Sequence, residues 1–290
     1  MVGSATMFGA MAFSAKLASA RLSGPQVAMI RFAVGLIPVL LFARYRRAAL
    51  GYHRVDLLIY RGLFGGLAVL LYFIAIEKTT AGLATLLNYT APLWSGIFSM
   101  MFIGEKFSAK VLLALPVAFA GVVLVVRAYS APADPGNFGL WALAGAASAV
   151  ASGAAVTAMR AARRTESSWS VYASFCLFGL LVTAPFGLWT WKTPRGDEWF
   201  SLGATALLAI GAQLMLTFSL RWVDAMTVGV ISQLAVPLAM VLGIIFIGEK
   251  ITPMAVIGTV VTMAGVVGVT YVNSLSKPTA AAADEVAPES

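Results

Sequence analysis

The sequence predicts an all-α integral membrane protein with ten transmembrane helices, arranged as two inverted five-helix repeats around a central cavity. Three observations predict it. The 290 residues are 60% hydrophobic and only 11% charged, with a mean hydropathy of +0.89. No soluble domain of this length hides so much apolar surface, so lipid must be the solvent. Second, one stretch occurs twice: residues 71–106 read LYFIAIEKTTAGLATLLNYTAPLWSGIFSMMFIGEK, and residues 216–250 read LTFSLRWVDAMTVGVISQLAVPLAMVLGIIFIGEK. Pro92 and Pro237 stand 145 residues apart, and the ends Gly104-Glu105-Lys106 and Gly248-Glu249-Lys250 stand 144 apart. Ala120-Gly121-Val122-Val123 returns at the same 144 spacing as Ala264-Gly265-Val266-Val267. Third, the apolar segments number five in each half. An odd number makes the second half cross the membrane in the opposite sense to the first.

A helix needs about 20 mostly apolar residues to cross about 30 Å of hydrocarbon. The segments that qualify are 3–20, 25–43, 56–76, 80–103, 109–127, 138–159, 168–190, 200–220, 225–247 and 253–273. Ser23-Gly24-Pro25 turns the chain between the first two. Pro92 and Pro237 fall inside their spans, where a missing N–H kinks a helix, so both are candidate hinges. Thr252-Pro253 reads as an N-cap followed by proline at the first helical position. The organisation expected is a first repeat over 1–130, a linker over 131–137, a second repeat over 138–273 and a disordered cytoplasmic tail over 274–290. No cleavable signal is expected at the start.

The ten spans put both termini on one side. With that side cytoplasmic, eleven basic residues fall inside, including the clusters Arg44/Arg46/Arg47 and Arg160/Arg163/Arg164, against six outside. The positive-inside rule therefore places both termini in the cytoplasm. The formal net charge of +8 fits basic loops beside anionic lipid. Nucleic acid is excluded as a partner, since no basic stretch is long or soluble enough to track a phosphate backbone. The single cysteine, Cys176, and the single histidine, His53, rule out an internal disulfide and a metal cluster. No cofactor is implied. Trp169, Trp189, Trp191, Trp199 and Trp222 lie near span ends, where amphipathic rings anchor at the interface.

Ionisable groups inside the spans are few: Lys16, Arg31 and, nearer the start of its span, Arg61. A charge in hydrocarbon costs about 2.5–3.5 kcal/mol on insertion scales, so such residues face a cavity or a partner, or snorkel to the headgroups. No Asp or Glu sits at mid-span. A proton-coupled pump for lipophilic cations needs a buried carboxylate, whereas this chain offers cations. Lys16 and Arg31 therefore suggest a solute bearing a carboxylate. The repeats place Asn88 opposite Gln233, and Tyr72 opposite Thr217. Thr85, Asn88, Pro92, Ser95 and Ser99 recur at spacings of three and four, one polar helix face. Gln213 and Thr217 give the eighth span a similar face. These groups either line a central cavity or join helices by hydrogen bonds. Tyr89 and Trp94 either stack on a solute or pack.

With these residues quoted, the sequence resembles the drug/metabolite transporter superfamily, specifically its EamA-type members. The features that carry the resemblance are two five-span halves, each with a mid-helix proline about a dozen residues before Gly-Glu-Lys. Lys16, Arg31-Phe32, Arg61-Gly62 and Asn88-Tyr89-Thr90-Ala91-Pro92 match the pattern of the first half. The resemblance covers roughly 3–273 and implies ten helices, a central cavity and alternating access. It implies a carrier of amino acids, other metabolites or drugs, and not an enzyme. Phe175 aligns with Arg31, so the cationic feature is one-sided. The expected function is a secondary transporter in the inner membrane for an amino acid or other carboxylate-bearing solute, with export one option and the direction left open by the sequence. The alternatives are a lipophilic-cation exporter of the same fold, a passive facilitator, a lipid flippase or a membrane enzyme. The expected partners are the small-molecule substrate and the bilayer, with a proton or counter-substrate left open for coupling. Monomer and homodimer are both compatible with the sequence.

Overall fold

With lipid as solvent, every backbone polar group must be satisfied within the chain, which leaves helices as the economical element. The computed structural model describes residues 1–45, 53–103, 109–129, 135–163, 165–219 and 231–275, and among these every regular element is helical. In order they are α1 (Val2–Ala18), α2 (Gly24–Tyr45), α3 (Val55–Lys78), α4 (Ala81–Asn88), α5 (Ala91–Ile103) and α6 (Ala109–Tyr129). The second half holds α7 (Pro135–Ala162), α8 (Ser168–Trp189), α9 (Gly196–Ser219), α10 (Ala235–Leu242) and α11 (Pro253–Leu275). Among the described residues, five helices are long and apolar enough to cross a bilayer: those spanning Gly24–Leu41, Val55–Lys78, Leu140–Ala162, Ser168–Trp189 and Gly196–Ser219. Shorter apolar helical stretches run over Pro116–Ala128, Ala235–Ile247 and Pro253–Val269.

Two boundaries differ from the sequence reading. Helix α7 starts at Pro135, so 135–137 are helical and not linker; proline suits a first helical position. The expected span 80–103 is broken, not kinked. Asn88 ends α4, and α5 begins at Ala91. Pro92 therefore lies in the first turn of a new helix, where its missing N–H removes nothing. Pro237 sits likewise in the first turn of α10, just after a turn at 233–234. The breaks are bridged by tighter turns: Leu93 N–H donates to Thr90 O, and Val236 N–H to Gln233 O. The basic residues 46 and 47, Glu105, Lys106, Arg164, Arg221, Trp222 and the tail from 276 lie outside the described residues.

Thr252 caps α11 through its hydroxyl, which accepts from Ala255 N–H at 3.2 Å. Helix α10 runs into a π-helical turn over Gly243–Ile247 that ends at Gly248 with φ of 72°, a left-handed conformation that glycine adopts without Cβ strain. Buried hydroxyls bond back within their own helices: Thr85 to Ala81 O, Thr183 to Gly179 O and Thr217 to Gln213 O. Such bonds let polar residues sit in apolar spans. Lipid-facing positions are large and apolar, as at Leu40, Phe102 and Phe200. Trp189, Trp191 and Trp199 are exposed near helix ends, whereas Trp169 packs edge-on against Tyr172 and Phe218.

The main packing partners are α6 with α11, α3 with α7, α1 with α9, α3 with α8 and α2 with α8. Both halves are also tied at each end of the bundle. At one end Arg21 holds Glu198 through two bonds, one at 2.6 Å from Nε. At the other, Glu166 accepts from His53 N–H at 2.6 Å and Arg54 N–H at 2.5 Å, at the start of α3. Residues 54 and 198 are 144 apart, the repeat spacing, so equivalent helix starts are each held by a glutamate contact to the other half.

The α6–α11 seam is made by small residues. A Cβ on Gly121 would meet Thr262 N at 2.4 Å, and one on Gly265 would meet Ala118 N at 2.4 Å. Backbones approach this closely only where side chains are absent. The Ala118 and Gly258/Thr262 faces are thus used inside the chain. Gly265→Val is expected to force this seam apart and cost about 1–3 kcal/mol or more by overpacking. The check is a lower unfolding temperature of the detergent-solubilised protein than a lipid-facing Val260→Ala control.

Candidate functional site

The site grows from one face of each of three helices. Arg31, Phe32 and Gly35 on α2, Tyr172, Phe175 and Cys176 on α8, and Ala209, Ile210 and Gln213 on α9 line one tight cleft. Positions spaced by three and four share a helix face, so each helix contributes one short stripe. Gly35 allows the approach of α8: a Cβ there would lie 3.2 Å from Cys176 Sγ and 3.4 Å from the Tyr172 hydroxyl oxygen. That hydroxyl donates to Gly35 O at 3.1 Å. Among the described residues no Asp or Glu lines the cleft.

Arg31 is 6% exposed. Its guanidinium carbon lies 5.2 Å from the Phe32 ring centroid and 5.7 Å from those of Phe73 and Phe175. Phe32 and Phe175 meet edge-on, with centroids 5.1 Å apart. Among the described residues the guanidinium has no hydrogen-bond or ion-pair partner, and the Gln213 amide has no hydrogen bond. Cation–π contacts return about 0.5–2 kcal/mol each. An uncompensated buried ion costs several kcal/mol, so the aromatic cage alone leaves Arg31 underpaid. A carboxylate in the cleft would supply the missing acceptor.

Of the residues expected from sequence, Arg31 and Gln213 line this cleft, Tyr72 and Tyr89 lie close enough to Arg31 to interact with its charge, and Lys16, Asn88, Trp94 and Gln233 are bonded or packed elsewhere. Lys16 does not line the cleft. Its ammonium donates to Ile76 O at 2.9 Å, to Glu77 O at 3.2 Å and to Thr79 O, which caps the carbonyl end of α3. Tyr72 bonds Thr85 through its hydroxyl at 2.8 Å. The Asn88 amide donates to Ser148 at 3.0 Å and Ser152 at 3.1 Å, joining α4 to α7. Trp94 packs edge-on against Phe119, and its Cβ lies where a Cβ on Gly153 would come, 2.5 Å away. Gln233 donates its amide to Tyr89 O at 3.1 Å. Tyr89 O lies at the α4/α5 break, where Leu93 N–H turns to Thr90 instead. One helix break is thus stitched to the other by a side chain of the opposite half.

The sequence reading named Arg61 and Phe175 without placing them in the site, and it did not name Tyr172. Arg61 lies on α3, 6% exposed, with its guanidinium carbon 4.2 Å from the Phe175 centroid. The sequence signal was present for two of them: Arg61 is a charge within a span, and Phe175 aligns with Arg31 at the repeat spacing of 144.

Comparisons agree with this architecture. The model of the EamA-like transporter family matches residues 1–127 and again 139–271. The chain belongs to that family and is a multi-pass membrane transporter. It is 25% identical over 211 residues to the pseudopaline exporter CntI of Pseudomonas aeruginosa strain UCBPP-PA14, covering 72% of this chain and 73% of that protein. It is 36% identical over 67 residues to solute carrier family 35 member G1 of Mus musculus, covering 23% of this chain and 18% of that one. A crystal structure superimposes with a TM-score of 0.66 at 20% identity, over 95% of this chain and 98% of that one. At that identity the likeness shows the fold.

Two outcomes follow from the capping cluster around Lys16. Lys16→Met is expected to lower the unfolding temperature, with about 1.5–3 kcal/mol lost with the charge-assisted bonds. Its preference among solutes should stay that of the unaltered chain; a lost preference would return Lys16 to the site. Glu249, in the loop before α11, accepts from Ala81 N–H at 3.1 Å. Burial raises its carboxyl above the ordinary range, against the opposing pull of Ala81 N–H and Lys16. The folded chain then binds this proton more tightly than the unfolded chain, so stability falls as pH rises out of the carboxylate range through the raised value. Glu249→Gln should flatten that slope in unfolding temperatures recorded against pH.

Proposed function

We propose that the chain is a secondary transporter that exports a small carboxylate-bearing metabolite across the inner membrane by alternating access. The observation that carries this reading is Arg31: among the described residues, a buried guanidinium without a hydrogen-bond or ion-pair partner, on a cleft that no described acidic residue lines. Gln213 on the same wall offers a neutral donor and acceptor beside it. A lipophilic cation would meet a like charge there and no counter-charge among the described residues. Export is the direction named for the Pseudomonas aeruginosa relative, and the family supports a small solute as cargo.

The packing supports an inverted repeat of five spans per half. The α1–α9 and α3–α7 contacts exchange under a two-fold that swaps the halves, while α2–α8 and α6–α11 map onto themselves. Two inverted halves with broken helices beside a central site are the ingredients of alternating access. The breaks at Tyr89–Thr90 and Gln233–Leu234, each just ahead of Pro92 or Pro237, are the hinges in this reading. The cleft has room for about 10 Å³, roughly one water and far below the about 300–1,000 Å³ of open ligand pockets. The arrangement described is therefore a closed form, and solute reaches Arg31 when the helices part. The distribution of basic residues favours both termini in the cytoplasm.

Counterflow in proteoliposomes tests the reading, with amino acids, organic anions and lipophilic cations offered in turn. Exchange of a carboxylate solute is expected, and Arg31→Gln should weaken it at least about ten-fold, since losing one member of a buried charge pair costs 2–5 kcal/mol or more. Exchange confined to lipophilic cations would overturn the substrate class and leave the fold intact.

A further inference from the structure

Arg61 is the second cation at the same aromatic cluster, and nothing in the fold explains it as packing. Its Nε is buried and makes no hydrogen bond. Like Arg31, it has no ion-pair partner among the described residues. Both guanidinium groups lie over the ring of Phe175, Arg61 at 4.2 Å and Arg31 at 5.7 Å. Two like charges that share one ring repel each other, and the ring's quadrupole neutralises neither.

The position is also built. A helical side chain leans toward the N-terminus of its helix, which for Arg61, early in α3, is toward the near end of the bundle. The guanidinium instead lies beside Gly65, one turn deeper into the span. A Cβ at Gly65 would come 2.3 Å from Arg61 Nη1 and 2.8 Å from Phe175 Cδ2. The glycine leaves the space that guanidinium and ring occupy. A long cation with an outward route, turned inward and left without an acid among the described residues, is placed for a ligand and not for snorkelling.

We propose that Arg31 and Arg61 work as a pair across Phe175, and that the transported solute carries two acidic groups, one for each guanidinium. This rests on the carboxylate reading of Arg31 and deepens it. Phe175 lines the cleft and covers Arg61, so a shift of its ring admits the second acidic group. Two separated charges facing two separated guanidinium groups suit a dicarboxylate better than a single phosphate.

The test uses the full chain in nanodiscs and measures binding of dicarboxylates with two to six bridging carbons. Each is compared with its own monoamide, and inorganic phosphate is the third probe. The expected result is a preference of at least about ten-fold for a dicarboxylate over its monoamide, as a charge-assisted pair exceeds a neutral hydrogen bond. Arg61→Gln should collapse that ratio toward one, Arg61→Lys should keep most of it, and Gly65→Ala should reduce it. The ratio is taken within each variant, so a loss of folded protein does not move it. Equal binding of diacid and monoamide by the unaltered chain overturns the pairing while leaving the carboxylate reading of Arg31 intact. Phosphate binding without dicarboxylate binding overturns the two-group form. Binding of neither acid nor monoamide overturns both readings together.

Discussion

Two guanidinium groups lie among phenylalanine rings in a chain whose other buried polar groups are mostly satisfied from within. Lys16 has three carbonyls, Asn88 two serine hydroxyls, and Gln233 the backbone oxygen of a broken helix. Against that background Arg31 and Arg61 stand out, because hydrocarbon penalises an unpaired ion more than any other group. The surrounding architecture serves to hold them there. Small residues bring α2, α3 and α8 close enough for Phe32, Phe175 and the two arginines to meet: Cβ atoms at Gly62 and Gly179 would strike Phe178 and Phe32 at 2.6 and 2.4 Å.

The repeat explains why the cluster sits where it does. Contacts between α2 and α8 relate a helix to its own counterpart, so residues at equivalent positions meet near the axis. Arg31 and Phe175 are such a pair, 144 residues apart and in contact. A cation in one half opposite a ring in the other produces an asymmetric site inside a symmetric frame. The same pattern appears at the helix breaks, where Gln233 reaches the opposite break and Asn88 turns to α7 instead. The repeat supplies a pair of helix breaks, and divergence of the halves gives each break different bonds.

Much of this was legible in the sequence. Helix positions followed from hydropathy because each span must cover a fixed thickness of lipid. Arg31 and Gln213 were legible because a polar group in an apolar run demands a reason. The role of Lys16 was not legible, since only the fold shows that the end of α3 stops beside it. Pro92 and Pro237 announced a disturbance but not its form. A proline removes one N–H, and whether the helix bends or breaks depends on how the carbonyls around it are then satisfied: here Leu93 N–H turns to Thr90 O and Gln233 takes Tyr89 O. Arg61 was discounted by its place near a span end, and only the missing side chain at Gly65 shows that it turns inward.

The central claim is that a carboxylate solute occupies the cleft at Arg31, and the chain carries its own reporter. Cys176 is its one cysteine; it is a free thiol and lines that cleft. The direct measurement is the rate of Cys176 alkylation by a small maleimide in proteoliposomes, with and without carboxylate solutes. Slower alkylation with a carboxylate solute, no slowing with a lipophilic cation and loss of the protection in Arg31→Gln is the result expected. Protection by the lipophilic cation alone, or carboxylate protection that persists in Arg31→Gln, would contradict it.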